Sequence, residues 1–568
     1  MRSRWRMPLA TLAVGVVSGV VGIVLVLVLH LVQHTAFGYT ENDFLYGVLH
    51  ASPLRRVLAP TLGGVLVGLG WWWQRRRWST DDVSVTRALR DTEHRMPIRP
   101  TVVDALLQVV AVGVGASLGR EGAPRQAAAA VAGWLGERLR LTTCQRRTLL
   151  ACGAGAGLAA VYNVPLAGAV FTLETLLVSL ALRDVAAAVV TSAVATLVTW
   201  PVLGNHPTYQ VGPIGFSWSV LVWAVPMGVA AGALGVGFER LMTLARTHRA
   251  TGRATLVATP LAFATVGAAA VAFPQLPGNG KGPAELAFVG GLGLLLAAVL
   301  VLLKPLATAV CLAGGAIGGL LTPALATGAL AGLVGGRLWQ QLWPGVPLGA
   351  FAIVGAAAVL AATQRAPLTA LVITWELVRT GYALLPALVV AVALALAVAH
   401  WLGRTRRSRM ERVRPSLYEH AGGKQAFLRL SRAMNVRCLA DPELRHAFLR
   451  TGHPQHDERL AAYWAEVLGG PPAYTGEHGG DQTTLVRMHA GEHEPDEWRQ
   501  RFVDCFVAAL DDAELPDDPD FRAAMRAYME WAVTGVNAYP ESKDDVPEDL
   551  AMPRWGWDGL VSPPASLR

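Results

Sequence analysis

Two stretches, "GAGAGLAAVYNVPLAGAVFTLE" (Gly153–Glu174) and "GAAAVLAATQRAPLTALVITWE" (Gly355–Glu376), decide how this chain is read. About half of their positions coincide without a gap, including the central Pro-Leu and the final Glu, which unrelated segments rarely do. Upstream, "PRQAAAAVAGWLGERL" from Pro124 matches "PALATGALAGLVGGRL" from Pro323 at nearly the same offset. Ala/Gly richness alone is ordinary in membrane helices. Shared Pro, Glu and Arg-Leu are not. The stretches predict two related halves, and an odd number of helices in each would invert the second against the first.

The surroundings of the repeat are membrane-like. Of the 568 residues, 53% are hydrophobic and 16% charged, and the mean hydropathy of +0.38 is too high for a soluble enzyme. Long apolar runs such as "LATLAVGVVSGVVGIVLVLVLHLV" (9–32) and "LLPALVVAVALALAVAHWL" (384–402) are near the ~20 residues of a spanning helix. The first is too long for a signal peptide and lacks a small-residue cleavage site, so it reads as a retained helix. After Gly403 the chain turns polar. The expected organisation is an all-α polytopic membrane domain with two inverted repeats over 1–403, a basic linker over 404–421 and an all-α soluble domain over 422–568.

The formal net charge of +8 sits partly in "RSRWR" (2–6), "RRRW" (75–78) and "RTRRSRMERVR" (404–414). Basic clusters beside apolar segments stay cytoplasmic. The reading is a multi-pass protein of the cell (inner) membrane, in contact with lipid, with both termini and the soluble domain inside. Nucleic acid is not an expected partner, because the clusters are juxtamembrane. The five cysteines are scattered without a CxxC, so neither a disulfide frame nor a zinc site is expected.

The 59 glycines and 34 prolines are too many for plain membrane rods. Breaks inside the bilayer are tolerated only where freed backbone groups face protein or a watery cavity, as in transporters and channels. Each half carries one break followed by a helix: "GREGAP" (119–124) and "GGLLTP" (318–323). A helix start offers free N–H groups and about half a positive charge. Two such starts meeting at the midplane would hold a small anion and still release it. Glycine permits the close approach of backbone to ion.

At these residues the chain resembles the CLC family of chloride channels and proton–chloride exchangers. The carrying motifs are "GREGAP", "GAGAGLAAVYNVPLAGAVFTLE", "GGAIGGLLTP" (314–323) and "GAAAVLAATQRAPLTALVITWE", spread over about residues 10–420. The resemblance implies a homodimer, not an enzyme, in which each subunit moves chloride or a similar anion, with protons as a coupled ion in exchangers. It makes Glu121 the gating and proton-accepting residue. A tethered carboxylate competes with chloride for the amides and withdraws when protonated. It also implies anion-binding roles for Arg120, Gly122, Leu320 and Leu321, although the family usually has Phe where Leu321 stands. Tyr418, in "RPSLYEH", matches the inner-gate tyrosine.

Two departures stand out. A Gly-Ser-Gly-Ile-Pro stretch belongs before "RALRD", but the chain reads "STDDVSVTRAL". Thr80 would replace the anion-binding serine there, beside the acidic Asp81 and Asp82. Thr175 stands where exchangers often carry an inner glutamate, which favours a channel and leaves an exchanger open.

The tail shows apolar residues at helical spacing in "QAFLRLSRAMNVRCLADPELRHAFL", in "RLAAYWAEVLGGPPAYT" (459–475) and in two further stretches. It resembles a group II truncated haemoglobin through "LADPEL", "GGPPAYT", "RMH" (487–489) and "MPRWGW" (552–557). That resemblance implies haem as a cofactor, held by His489. Asn435 replaces the usual distal tyrosine and Phe502 a common tryptophan. The leading expectation is an anion channel or proton-coupled chloride transporter, modulated by the tail. The alternatives are a membrane-anchored haem or gas-binding globin with a degenerate CLC domain, or selectivity for fluoride or nitrate.

Overall fold

The computed structural model describes residues 6–40, 43–78, 84–90, 96–411, 415–449, 454–491, 495–536, 539 and 542–561. The chain divides into two units, Met1–Gly403 and Arg404–Arg568, each described by itself. Both are helical. Among the described residues the named strands are one short antiparallel pair, Arg554–Gly556 with Gly559–Val561.

In the first unit, six helices among the described residues are long and apolar enough to cross a membrane. Helix satisfies every backbone group within its own segment, as hydrocarbon surroundings require. Small residues then set how closely the helices pack. Helix Arg6–Phe37 brings Gly15 and Gly19 onto helix Leu182–Leu203, where a Cβ on Gly19 would stand 2.7 Å from the Ala195 carbonyl oxygen. Helix Trp218–Thr247 repeats this in the second half, where a Cβ on Gly232 would stand 2.6 Å from the Ala395 carbonyl oxygen of helix Leu385–Glu411. The opening helix of each half packs on its closing helix in the same way.

The halves also exchange bonds. Helices Pro165–Phe171 and Pro367–Val378 each begin with a proline, and neither has a side-chain cap from its own N-cap residue. Each is capped by the glutamate that ends the other half's repeat. Glu376 accepts from the Leu166 and Ala167 N–H groups at 3.1 and 2.7 Å. Glu174 accepts from the Leu368 and Thr369 N–H groups at 2.9 and 2.7 Å, and from the Thr369 hydroxyl at 2.6 Å. At the breaks, Gly119 and Gly319 pair antiparallel, each N–H donating to the other's carbonyl at 2.7 and 2.9 Å. Equivalent segments that run antiparallel past each other are what an inverted repeat produces. The second half is inverted against the first.

The second unit packs helices Gly423–Ala440, His456–Val467, Asp496–Asp512 and Pro519–Val536 around Phe427, Leu430, Met434, Phe506, Phe521, Met525 and Tyr528. The Asp441-Pro442 turn ends the first of these, and Gly469, at φ +96°, follows the second. The packed fold starts earlier than Gly422, which corrects the expected linker over 404–421. Ser416 and Glu419 form a reciprocal capping box on helix Leu417–Ala421, and Leu417 is buried in the core.

Candidate ion-pathway site

The "GREGAP" segment separates helix Ile98–Gly113 from helix Gly122–Arg138 and leaves Glu121 as the N-cap residue of the latter. Glu121 is fully buried. Its side chain crosses to the first turn of helix Leu321–Trp339, which belongs to the other half. Oε1 accepts from the Leu321 N–H at 2.7 Å. Oε2 accepts from the Thr322 hydroxyl at 3.1 Å and the Tyr162 hydroxyl at 3.3 Å. Those two hydroxyls lie 2.9 Å apart, so two protons are shared over three contacts. Among the described residues no salt bridge joins this carboxylate to Arg120 or Arg125. Arg120 lies over the Tyr162 ring at 4.9 Å and Arg125 over the Phe171 ring at 5.0 Å. The carboxylate's direct hydrogen bonds thus come from neutral N–H and O–H groups at a helix start, a donor set that also suits a small anion.

Glycine on both sides leaves room for the carboxylate. A Cβ on Gly119 or on Gly319 would overlap the Glu121 carboxylate. Two cavities flank the residue. One, of about 500 Å³, is lined by Arg120 and Tyr162 together with His30, His34, His206 and Lys281. The other, of about 330 Å³, is lined by Gly122, Arg125, Gly319, Leu320, Leu321 and Gln108. Glu121 lines neither, while its two chain neighbours line one each. The backbone passes from one cavity to the other across this buried carboxylate. The repeat equivalents Tyr162 and Gln364 also face opposite cavities.

The structure therefore brings Arg120, Glu121, Gly122, Leu320 and Leu321 together. Thr80 lies outside the described residues. Tyr418 is used elsewhere. It belongs to the second unit, its N–H donates to the Leu468 carbonyl at 3.1 Å, and its ring stacks on Phe427 at 5.8 Å. A Cβ on Gly470 would stand 2.8 Å from that ring, so Tyr418 packs within the second unit. Sequence reasoning missed the hydroxyls of Tyr162 and Thr322. The signal was present in "VYNVPL", where tyrosine faces glutamine in the matching stretch, and in "GGLLTP" itself. The final Glu of each stretch marked the repeat, but its cross-half cap needs the third dimension.

His489 ends helix Gln482–His489 and is exposed. Its Nδ1 lies 2.8 Å from the Leu485 carbonyl oxygen, so a proton on Nδ1 leaves Nε2 free as a ligand atom. Asp481 caps the helix by accepting from the Thr484 N–H at 2.7 Å. Trp498, Phe502 and Phe448 form a stacked, half-buried aromatic series. Asn435 donates to Asp457 at 3.2 Å. An imidazole nitrogen free in this way fits haem iron as a ligand.

The comparisons with known proteins divide the chain in the same place. The family model for voltage gated chloride channels matches residues 63–400, and that for bacterial-like globins matches 416–534, which takes in Tyr418. A putative chloride channel protein, ClcB-like, from Ralstonia nicotianae is 33% identical over 363 residues, which is 61% of this chain and 83% of the relative. The H(+)/Cl(-) exchange transporter ClcA of Vibrio campbellii is 30% identical over 308 residues, covering 52% of this chain and 65% of that protein. A solved slow cyanobacterial Cl-/H+ antiporter shares the fold with a TM-score of 0.63 at 24% identity, over 72% of this chain and 99% of its own.

Proposed function

The chain belongs to the voltage-gated chloride channel family, and on that premise we propose that its membrane unit conducts chloride between the two cavities, with Glu121 as the gate. The observation that carries this is the Glu121 carboxylate on the Leu321 N–H. Ionised, it occupies the amide and both hydroxyls and closes the route. Protonated, it loses the charge that held it, and chloride takes the same donors. Hydrogen bonds to a charged group contribute roughly 1.5–3 kcal/mol each, enough to bind an anion and little enough to release it. Thr175 is exposed, and Glu174 beside it is committed to capping, so neither supplies the second acid of an exchanger.

Reversal potentials in liposomes under crossed proton and halide gradients test this. A potential that follows halide alone identifies a channel, and one that shifts with pH an exchanger. Absence of halide flux in wild type and Glu121→Ala alike would reject the pathway in favour of an anchor carrying a globin. The tail holds haem through His489 Nε2, supported by the free ring nitrogen, and the iron would supply gas- and redox-sensitive chemistry there. A Soret band lost in His489→Ala is the expected result. The chain works as a homodimer with both termini cytoplasmic. Exposed Leu166 and Leu368, on the two helices that trade glutamate caps, favour an apolar face for a second copy, and light scattering in detergent tests it.

A further inference from the structure

One buried polar group of the first half is left unused by this mechanism. Gln108, on helix Ile98–Gly113, is 1% exposed yet lines the cavity of about 330 Å³. Its Nε2 donates to Asp104 Oδ2 and to Gln126 Oε1, both at 2.7 Å, so both amide hydrogens are spent. Its Oε1 has no donor among the described residues and is aimed at Gly122, where a Cβ would overlap it. Asp104 is 3% exposed and accepts a further bond from Trp71 Nε1 at 3.0 Å.

A carbonyl oxygen facing an anion route has the wrong sign for binding. What turns it that way is the carboxylate. An ionised Asp104 can only accept, so it holds the Nε2 end of Gln108. A proton on Oδ2 makes Asp104 a donor, and the Gln108 amide can then turn over. Its Oε1 accepts from Asp104, its Nε2 faces Gly122, and Gln126 can turn its own amide to donate. We propose that Gln108 is an anion-facing residue whose polarity is set by Asp104, so that an anion held beside Gly122 is linked to one proton on Asp104. The proton comes from cavity water and returns to it. Asp104 acts through Gln108 and is a positioning residue.

The ionisable groups on the neighbouring elements form the background to this linkage, and the double variants separate it from them. Helix Pro53–Trp78 brings Arg75, whose guanidinium donates to the Thr255 hydroxyl and the Gly315 carbonyl, both at 3.4 Å. The start of helix Gly122–Arg138 brings Glu121 and Arg125. Across the cavity, helix Trp218–Thr247 brings Glu239 and Arg246. His30 and His34 of helix Arg6–Phe37 line the other cavity, at the Val112 end of Gln108's helix.

The inference rests on the anion pathway proposed above, and its test removes the gate first. Full-length protein carrying Glu121→Gln is titrated with chloride by calorimetry between about pH 5 and 8, where Glu121 can no longer respond. Linkage to one proton tightens Kd by up to about tenfold per unit fall in pH. Glu121→Gln/Asp104→Asn and Glu121→Gln/Gln108→Leu should each give a flat profile. If the Asp104 variant fails to fold, the Gln108 variant decides alone. A flat profile in Glu121→Gln, or a slope surviving in either double variant, overturns the linkage. No chloride heat in any folded variant overturns the pathway itself.

Discussion

The two halves of the membrane unit share one frame and differ at one point. Glu174 and Glu376 hold equivalent positions and do the same thing, each capping a helix of the other half. Gly119 and Gly319 likewise bond to each other as equals. At the breaks the equality ends: the first half supplies a carboxylate, Glu121, and the second supplies the amide and hydroxyl that receive it. Duplication built the frame, and divergence at the break made the crossing unequal, with a carboxylate on one side and its donors on the other. The capping glutamates form a matched pair. Glu121, the proposed gate, has no counterpart in the second half.

That contrast can be broken first at the glycines. Gly119→Ala and Gly319→Ala each place a methyl where the Glu121 carboxylate lies, so both should expel it. The expected result is halide efflux that no longer needs acid to open the gate, matching Glu121→Ala, the largest effect here. Unlike outcomes for the two substitutions would show that the halves do not share the gate equally.

Glu174→Ala and Glu376→Ala sharpen the symmetric side. Each leaves two amides at a helix start without their acceptor, and a buried donor stripped of its partner costs roughly 1–3 kcal/mol. The two losses should agree within about 1 kcal/mol in denaturant unfolding in detergent, Glu174 costing slightly more through the Thr369 hydroxyl. A large inequality would mean the exchange is not the common strut it looks to be. Tyr162→Phe removes one of three donors from the carboxylate, a change of about 1 kcal/mol or roughly fivefold in chloride affinity by calorimetry.

The tail has no counterpart to trade caps with, so the His489 helix must cap itself. The Thr484 N–H, and then its hydroxyl, hold the Asp481 carboxyl below the usual carboxylate range. A depressed acid adds stability above its unfolded value and loses it as pH falls through the folded one. Asp481→Ala should therefore loosen residues 482–489 at neutral pH, as acid does in the wild type. The expected cost is about 0.5–1 kcal/mol, read by hydrogen exchange.

Much of the site was legible in the sequence, because it rests on local signals. "GREGAP" and "GGLLTP" announce broken helices, and an acid between glycines has few structural uses. Leu320, Leu321, Arg120 and Gly122 follow from the same two motifs. Tyr418 shows what a local match leaves out. "RPSLYEH" matches a gate motif by spelling, whereas its backbone bond to Leu468 joins it to a residue fifty positions away. Tyr162, Thr322 and Gln108 escaped notice because a hydroxyl or amide gains its role only from what faces it.

Sequence alone determined the duplication, the apolar spans, the helical tail and the unpaired acid at the first break, since each is written in periodicity, composition or repeated spelling. Tertiary structure alone decided the partners. The glutamate caps, the Gly119–Gly319 bridge and the Glu121–Leu321 bond all join residues about two hundred positions apart. A hydrogen bond depends on angles and tenths of an ångström, and these exist only once the inverted halves have packed.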